Sequence, residues 1–441
     1  MVPYKKTFRG GIHPRAGYGG KAATSASPIR DLPAGARVYV MLSQHVGAPC
    51  APLVKVGDRV LLGQKIGESD SYVSAPVHAS VSGKVAAIPT SIPAPNGMPG
   101  QAIVIDNDGL DEWDPAIQPA KDVGAMDRGE MLARIHSAGL AGMGGAAFPT
   151  HVKLSPPEGK KIDTLLLNGA ECEPFLTADH RKMLERPDQI VEGLLLARKI
   201  LSAGRGLIGI EDNKPDAIES MTKACAGTGI SVVSLKTKYP QGGEKQLIYT
   251  LTGRQVPSGG LPMDIGVVVL NVSTAANIRN ALYNGTPLIE RVVTVTGMVA
   301  KPANFRARIG TPISELIAAC GGALNGAQKM IVGGPMMGMA VYGAETPVVK
   351  GTSGVLLLPD FTPKGEPGNC IRCGKCGEKC PIRLMPMELH ALSRRALFDR
   401  AAKEHAMDCI ECGACSYGCP SGLPLVQSIR VAKREITKRK K

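Results

Sequence analysis

Aromatic residues are scarce in this sequence: they make up 4% of 441 residues, with a single tryptophan. The scarcity matters because the chain is basic, with 52 Lys+Arg against 38 Asp+Glu and a formal net charge of +14. Nucleic acid is the usual suspect for such a balance. No basic stretch here is interleaved with rings on which bases could stack, so nucleic acid is not an expected partner. Long apolar runs are missing too. Gly266-Val-Val-Val-Leu270 and Leu194-Leu-Leu-Ala197 fall far short of the roughly 18 to 20 residues that a membrane-spanning helix needs. The opening Met1-Val-Pro-Tyr-Lys-Lys6 leads into Thr7-Phe-Arg-Gly-Gly11 without the apolar stretch of a secretory signal. The expectation is a soluble, cytoplasmic chain, a setting in which disulfides are rare.

Glycine, proline and cysteine are what the chain does have, at 53, 34 and 12 residues. A hydrophobic share of 44% excludes wholesale disorder, and the length suggests about three or more domains. Residues 1–35 read as an extended arm. From 36 to 120, runs such as Val54-Lys-Val-Gly-Asp-Arg-Val and Ser74-Ala-Pro-Val-His-Ala-Ser-Val alternate apolar residues with turn residues, which predicts short strands. This pair of runs resembles the barrel-sandwich fold of lipoyl and biotinyl carrier domains. The hairpin 75–82, which in carriers presents a modified lysine, contains His78 and no lysine, so a structural module is expected, with His78 at the surface or in a turn.

Residues 121–288 alternate apolar runs with amphipathic segments. Strands are predicted at Ile162-Asp-Thr-Leu-Leu-Leu-Asn168, Gly206-Leu-Ile-Gly-Ile-Glu211, Ile230-Ser-Val-Val-Ser-Leu235 and Val267-Val-Val-Leu-Asn271, with helices over 188–203 and 215–226. That order predicts an open, largely parallel α/β sheet. Residues 289–358 return to β texture around a helix at 312–319 and resemble a small β-grasp module. A Pro/Gly-rich linker follows at 359–369, then a cysteine domain over 370–425 with a helix at 386–402, and a basic tail over 426–441. Residues 370–441 carry 15 Lys+Arg against 7 Asp+Glu, so much of the net charge lies there. An acidic partner or an anionic membrane surface is the functional reading of that charge, and a solvated helix end is the plain one.

Eight of the 12 cysteines form two matching runs, Cys370-Ile-Arg-Cys373-Gly-Lys-Cys376-Gly-Glu-Lys-Cys380-Pro381 and Cys409-Ile-Glu-Cys412-Gly-Ala-Cys415-Ser-Tyr-Gly-Cys419-Pro420. Each is C-x2-C-x2-C-x3-C-P, the bacterial ferredoxin spacing for a [4Fe–4S] cluster. Three thiolates at intervals of three wrap one face of a cubane, and the fourth, ahead of proline, ligates the other cluster. The predicted sets are Cys370, Cys373, Cys376 and Cys419 for one cluster, and Cys409, Cys412, Cys415 and Cys380 for the second. Structural zinc also uses C-x2-C pairs, but it does not account for a duplicate with proline after each last cysteine. Cys50, Cys172, Cys225 and Cys320 lack metal-like spacing and read as small apolar residues.

Gly139-Leu-Ala-Gly142-Met-Gly144-Gly145-Ala-Ala-Phe148-Pro-Thr150-His-Val-Lys153 is a glycine loop whose N–H groups could face a phosphate, with Lys153 as countercharge. Three further segments accompany it: Asn168-Gly-Ala-Glu171-Cys-Glu173, Tyr239-Pro-Gln-Gly242-Gly-Glu244, and Leu270-Asn271-Val-Ser-Thr274. Two of them stand at strand ends, where open α/β sheets bind ligands. Together they resemble the flavin- and NADH-binding subunit of respiratory complex I. That resemblance implies that Gly142, Gly144, Lys153, Asn168, Glu171, Tyr239, Gly242 and Asn271 line FMN, while Phe148, Glu173 and Glu244 face NADH. Met143 stands where those relatives have arginine, which leaves a phosphate to backbone amides and Lys153. Ala147, Ala170 and Gly243 depart from the pattern as well.

The order of parts, from Phe8-Arg-Gly-Gly-Ile-His-Pro14 and Leu42-Ser-Gln-His-Val-Gly-Ala-Pro49 to the twin cysteine runs, resembles the RnfC family of Rnf-type complexes. The implied fold is multidomain α/β: a lipoyl-like barrel-sandwich, a Rossmann-like FMN/NADH domain, an SLBB-like β-grasp module and a helical ferredoxin-type domain with two [4Fe–4S] clusters. The implied role is an oxidoreductase subunit, peripheral on the cytoplasmic face of the bacterial inner membrane, in an ion-translocating ferredoxin:NAD+ oxidoreductase. Membrane subunits, an iron–sulfur partner and, indirectly, ferredoxin are the expected partners. FMN would join two-electron hydride exchange with NAD(H) to the one-electron clusters, with no side-chain acid or base required. Two other readings stay open: a soluble flavin/iron–sulfur reductase akin to cobalamin reductases, and a flavin-free electron-relay scaffold.

Overall fold

Period-two burial organises the first module. Val38, Val40, Ile103, Ile105 and Val85 turn inward from one sheet, and Ile66 and Val77 meet them from a second. In the computed structural model, which describes residues 6–14, 20–359 and 367–439, the larger sheet runs Arg37–Met41, Ala102–Asn107, Gly83–Ala87, Arg59–Val60, all antiparallel. The smaller one pairs Ala51–Pro52, Lys65–Glu68 and Val77–His78. This is the barrel-sandwich expected from the sequence. His78 is not at the surface, however. It is 5% exposed, and its hairpin is pressed against Gly139, where an added Cβ would lie 3.1 Å from the imidazole. The hairpin that carriers leave free is here buried against the start of the glycine loop, a contact between modules that local pattern does not reveal.

The α/β module holds a four-stranded parallel sheet in the order Ile230–Leu235, Arg205–Glu211, Thr164–Asn168, Val267–Asn271. Its strands are near-continuous apolar runs because both faces are covered. Pro187–Leu201 and Val272–Asn284 pack on one face together with Arg128–Ser137 and Pro215–Ala224, burying Leu194, Ile200, Ile278 and Leu282. On the other face Glu244–Thr252 buries Leu247, Ile248 and Leu251 against Leu166, Leu207 and Val269. In register, Asn168 lies beside Asn271 at the carboxyl ends of the two adjacent strands.

The β-grasp module is a mixed sheet of Ala303–Arg308, Glu290–Gly297, Gly354–Pro359, Ala327–Val332 and Met339–Val341, packed on the helix Ile313–Ala319. Its edge strand comes from the arm: Ile29–Asp31 pairs parallel with Ala303–Arg308. The arm is therefore built into the fold. Ile12 bridges Tyr239, Lys21 Nζ donates to the Glu171 carbonyl at 2.9 Å, and Thr24 Oγ1 lies 2.6 Å from Thr177 Oγ1. Most of the predicted linker, residues 360–366, lies outside the described residues.

The cysteine domain is a cage of short helices. The helix predicted over 386–402 is two, Pro386–Arg394 and Phe398–Lys403, parted where Ala396 takes φ +53°. The predicted basic tail is mostly the helix Leu425–Arg439, whose Leu425, Val426, Ile429, Ala432 and Ile436 are buried. Its polar positions also bind inward, with Arg430 and Lys433 both paired to Glu411 at 2.9 and 2.6 Å.

Candidate functional site

The two cysteine runs fold alike. Arg372 and Glu411, each between the first two cysteines, have φ +55° and +56°; Gly374 and Gly413 both have φ +76°. Each glycine starts a short helix, Lys375–Lys379 or Ala414–Tyr417, that carries the third cysteine inward. After each Cys-Pro, Arg383 and Gly422 turn the chain at φ +63° and +64°. The repeated left-handed turns bend each run around a cavity instead of letting it extend.

The two cavities, of about 320 and 330 Å³, divide the cysteines crosswise. The first is lined by Cys370, Cys373, Cys376 and Cys419, with Met387 and Leu425. The second is lined by Cys380, Cys409, Cys412 and Cys415, with Ile429. Among the described residues, no three Cys, His, Asp or Glu side chains close on a point as the ligands of a single ion would. The thiols surround a volume instead, which suits a cluster. Burial pushes the Cys412 and Cys415 thiols up to about 12. Holding them as thiolates therefore calls for a cationic centre. Cys370 and Cys373 are exposed, so the first cavity opens outward.

The second cavity faces the α/β module. Tyr239, 1% exposed, donates its hydroxyl to the Cys412 carbonyl at 2.8 Å, and Gly11 N–H donates to the Lys379 carbonyl at 2.8 Å. Ile12, Tyr239, Cys412 and Ala414 share one apolar contact with Cys172 and Met336. Cys172, read from sequence as an ordinary apolar residue, takes part in the polar network here: its Sγ accepts the Gly242 N–H at 3.2 Å. The other three lone cysteines are buried as expected.

At the strand ends the structure gathers some of the predicted residues and separates others. Asn168 Nδ2 donates to the Gly242 carbonyl at 2.8 Å. A Cβ on Gly144 would come within 2.9 Å of Asn271 Nδ2, so only glycine lets the loop lie on that side chain. Gly142 N–H closes the loop on the Phe148 carbonyl at 2.8 Å, and Phe148 is half-buried. Gly142, Gly144, Phe148, Asn168, Gly242 and Asn271 thus form one cradle. Gly144, Gly145 and Ala146 are exposed above it. Ala147, at φ +52°, stands in the left-handed region that favours glycine.

The remaining predicted contacts are placed differently. Glu171 turns inward and accepts the Asp179 and His180 N–H groups at 2.8 and 3.1 Å, with burial raising its carboxyl. Glu173, predicted to face NADH, accepts the Met336 and Met337 N–H groups at 3.1 and 2.8 Å and so binds the β-grasp module. Tyr239, predicted at FMN, faces the cysteine domain. Lys153 and Glu244, predicted on different ligands, pair with each other at 2.7 Å. Glu173 and Tyr239 bond to the partner that a neighbouring module offers as they leave water, whereas Glu171, Lys153 and Glu244 find theirs within the α/β module.

Two residues that sequence reasoning missed come from the β-grasp module, and a third, Asp179, from the α/β module itself. Arg291 Nη2 donates to the Met143 carbonyl at 3.3 Å, and Lys350 Nζ donates to the Gly139 carbonyl at 2.7 Å. Asp179 accepts from Asn271 Nδ2 and Ser273 Oγ, both at 2.7 Å. The only hint for Arg291 was a charge set directly before the apolar run Val292-Val-Thr-Val.

Comparison with known proteins follows the same modules. Family models match the RnfC barrel sandwich hybrid domain over residues 6–110, the Nuo51 FMN-binding domain over 135–280, the SLBB domain over 292–340 and a 4Fe-4S dicluster domain over 369–423. A subunit of the Na+-translocating ferredoxin:NAD+ oxidoreductase complex of Acetobacterium woodii is 50% identical, covering 98% of this chain and 97% of that one. Its proton-translocating counterpart from Clostridium ljungdahlii is 49% identical over 98% of this chain and 94% of its own. The equivalent subunit of the ion-translocating oxidoreductase complex of Rhodobacter capsulatus is 43% identical over 98% and 84%. Among the described residues, no helix is long and apolar enough to cross a membrane. Four modules in this order, at such identity across nearly the whole chain, mean that this protein belongs to the RnfC family of subunits in ion-translocating ferredoxin:NAD+ oxidoreductase complexes.

Proposed function

We propose that this chain is the NAD(H)-reactive electron-transfer subunit of such a complex, peripheral on the cytoplasmic face of the membrane. FMN, seated on the 139–150 loop and the strand ends, would supply the conversion between hydride transfer and single-electron steps. Gly142, Gly144, Asn168, Gly242 and Asn271 hold it; Phe148 borders the nucleotide side. Cys380, Cys409, Cys412 and Cys415 hold the inner cluster, and Cys370, Cys373, Cys376 and Cys419 the outer one.

The observation that carries this reading is the position of the inner cavity. It abuts the flavin fold through Tyr239 and Cys172, whereas the outer cavity opens beside the exposed Cys370 and Cys373. Electrons exchanged with NAD(H) therefore have a path inward to outward, toward an iron–sulfur partner and, through it, ferredoxin and the membrane subunits. Exposed Arg372 and Lys375 beside the outer cavity suit an acidic partner.

Acid extraction of the purified chain followed by flavin fluorescence tests the reading. One FMN per chain, with NADH bleaching the visible absorbance, is the expected result. Absence of FMN together with no bleaching by NADH would instead support the flavin-free relay.

A further inference from the structure

The glycine loop is held from beneath by a cation that belongs to another module. Arg291 begins the buried part of the strand Glu290–Gly297 and is 4% exposed. Its guanidinium spends its donors on carbonyls: Nε on Val292, Nη1 on Lys350, and Nη2 on Met143 in the loop. Asp179 is a counter-charge that acts on it through space, and that carboxylate's hydrogen bonds go to Asn271 and Ser273. Burial lowers Arg291 to about 10, which leaves it cationic at neutral pH. A buried guanidinium whose hydrogen bonds all go to carbonyls, with Asp179 as a counter-charge held by other donors, leaves positive potential beneath the loop that an anion above it would meet.

The loop itself is shaped to receive one. The Met143–Gly144 peptide is trans. Its carbonyl and N–H therefore point opposite ways, and Arg291 holding the carbonyl below turns the Gly144 N–H outward. Among the described residues, no hydrogen bond is donated by the N–H groups of Gly144, Gly145, Ala146 or Ala147. Gly145 and Ala147 take left-handed φ of +79° and +52° between residues that do not, the alternation that curls successive N–H groups into an anion-binding concavity. The neighbouring helix Val272–Asn284 offers no rival site, because its first amides are capped by Asn271 and its Thr274 hydroxyl accepts the Met143 N–H. Lys153, the cation expected from sequence, is neutralised by Glu244.

We propose that Arg291 is the positioning residue that aims the Gly144–Ala147 amides at the phosphate of the flavin nucleotide and supplies the positive charge beneath them. This rests on the FMN reading above. It makes the β-grasp module a functional part of the cofactor site, contributing a group from below that never touches the flavin ring.

The test compares FMN with riboflavin, which lacks the phosphate, on full-length protein stripped of flavin with its clusters retained. Wild type should prefer FMN by about ten-fold or more, the scale of one hydrogen bond to a charged group. Arg291→Met should bring that preference close to unity by weakening FMN alone, leaving riboflavin affinity within about two-fold of wild type. Arg291→Lys, which keeps the charge and loses the fork, should fall between, and it carries the comparison if the methionine variant loses its clusters. Inorganic phosphate should compete with FMN and not with riboflavin on wild type. An unchanged FMN preference in either folded variant, or an equal loss for both flavins, overturns the proposal. Wild type that binds neither flavin would overturn the FMN reading itself.

Discussion

Cys412 and Cys373 sit at opposite ends of the proposed electron path, and a serine at each should separate inner from outer. Both variants are expected to lose about half of the bound iron, since each removes one ligand of one cubane. With Cys373→Ser, NADH should still reduce the remaining, inner cluster. With Cys412→Ser, the outer cluster should assemble but stay oxidised when NADH is added, as seen by electron paramagnetic resonance. Rapid NADH reduction of the outer cluster in Cys412→Ser would reverse the proposed order. These cysteines were legible because a cubane's ligands lie three residues apart, and spacing along the chain reports that directly. Glu173, Tyr239 and Lys153 were legible only as residue types; what each touches depends on partners 164, 173 and 91 positions away.

At the scale of elements, the C-terminal helix Leu425–Arg439 shows how composition and packing divide the work. Its charges suggested a tail, yet its apolar stripe is inserted between Leu389, Leu392, Ala401 and Ala406. Ile429 is 1% exposed and lines the inner cavity. Ile429→Ala should destabilise the cluster module by about 2–5 kcal/mol, the range for a buried isoleucine cut to alanine. Val431, half-exposed on the same helix, should tolerate alanine within about 0.5 kcal/mol. The unfolding midpoint followed by loss of visible absorbance checks both, and equal effects at the two positions would contradict the packing. The parallel sheet was readable from its Val- and Leu-rich runs. The division of 386–402 into two helices was not, because the break at Ala396 is a left-handed turn without a glycine to signal it.

Across the whole molecule, modules are joined by buried polar groups, and one of these titrates near neutrality. Burial pushes the Glu173 carboxyl up to about 7, against the opposing pull of the Met336 and Met337 amides. An unfolded glutamate titrates near about 4.3. Between those values the native state keeps a proton that the unfolded chain has released, so stability falls as pH rises through that window. From pH 6 to pH 8 wild type should lose about 1 kcal/mol that Glu173→Gln, unable to ionise, does not lose. Thermal midpoints of both proteins at the two pH values measure the difference; parallel slopes would show that Glu173 does not link the α/β and β-grasp modules in this way. The arm belongs to this scale too, since it joins Tyr239, Glu171 and the β-grasp sheet in turn.

The modules, their order, the parallel sheet and the two sets of four cysteines that line the cavities are all written in the order of residues. Each depends on spacing or period within a short stretch, where chain geometry decides which side chains meet. Folding in three dimensions was needed to settle which cavity faces the flavin fold, where the arm and the basic helix dock, and that Arg291 supports the glycine loop while Lys153 is paired away. Those outcomes follow from burial of charged and polar groups at contacts between distant segments, and a buried charge is satisfied by whichever partner lies nearest in space.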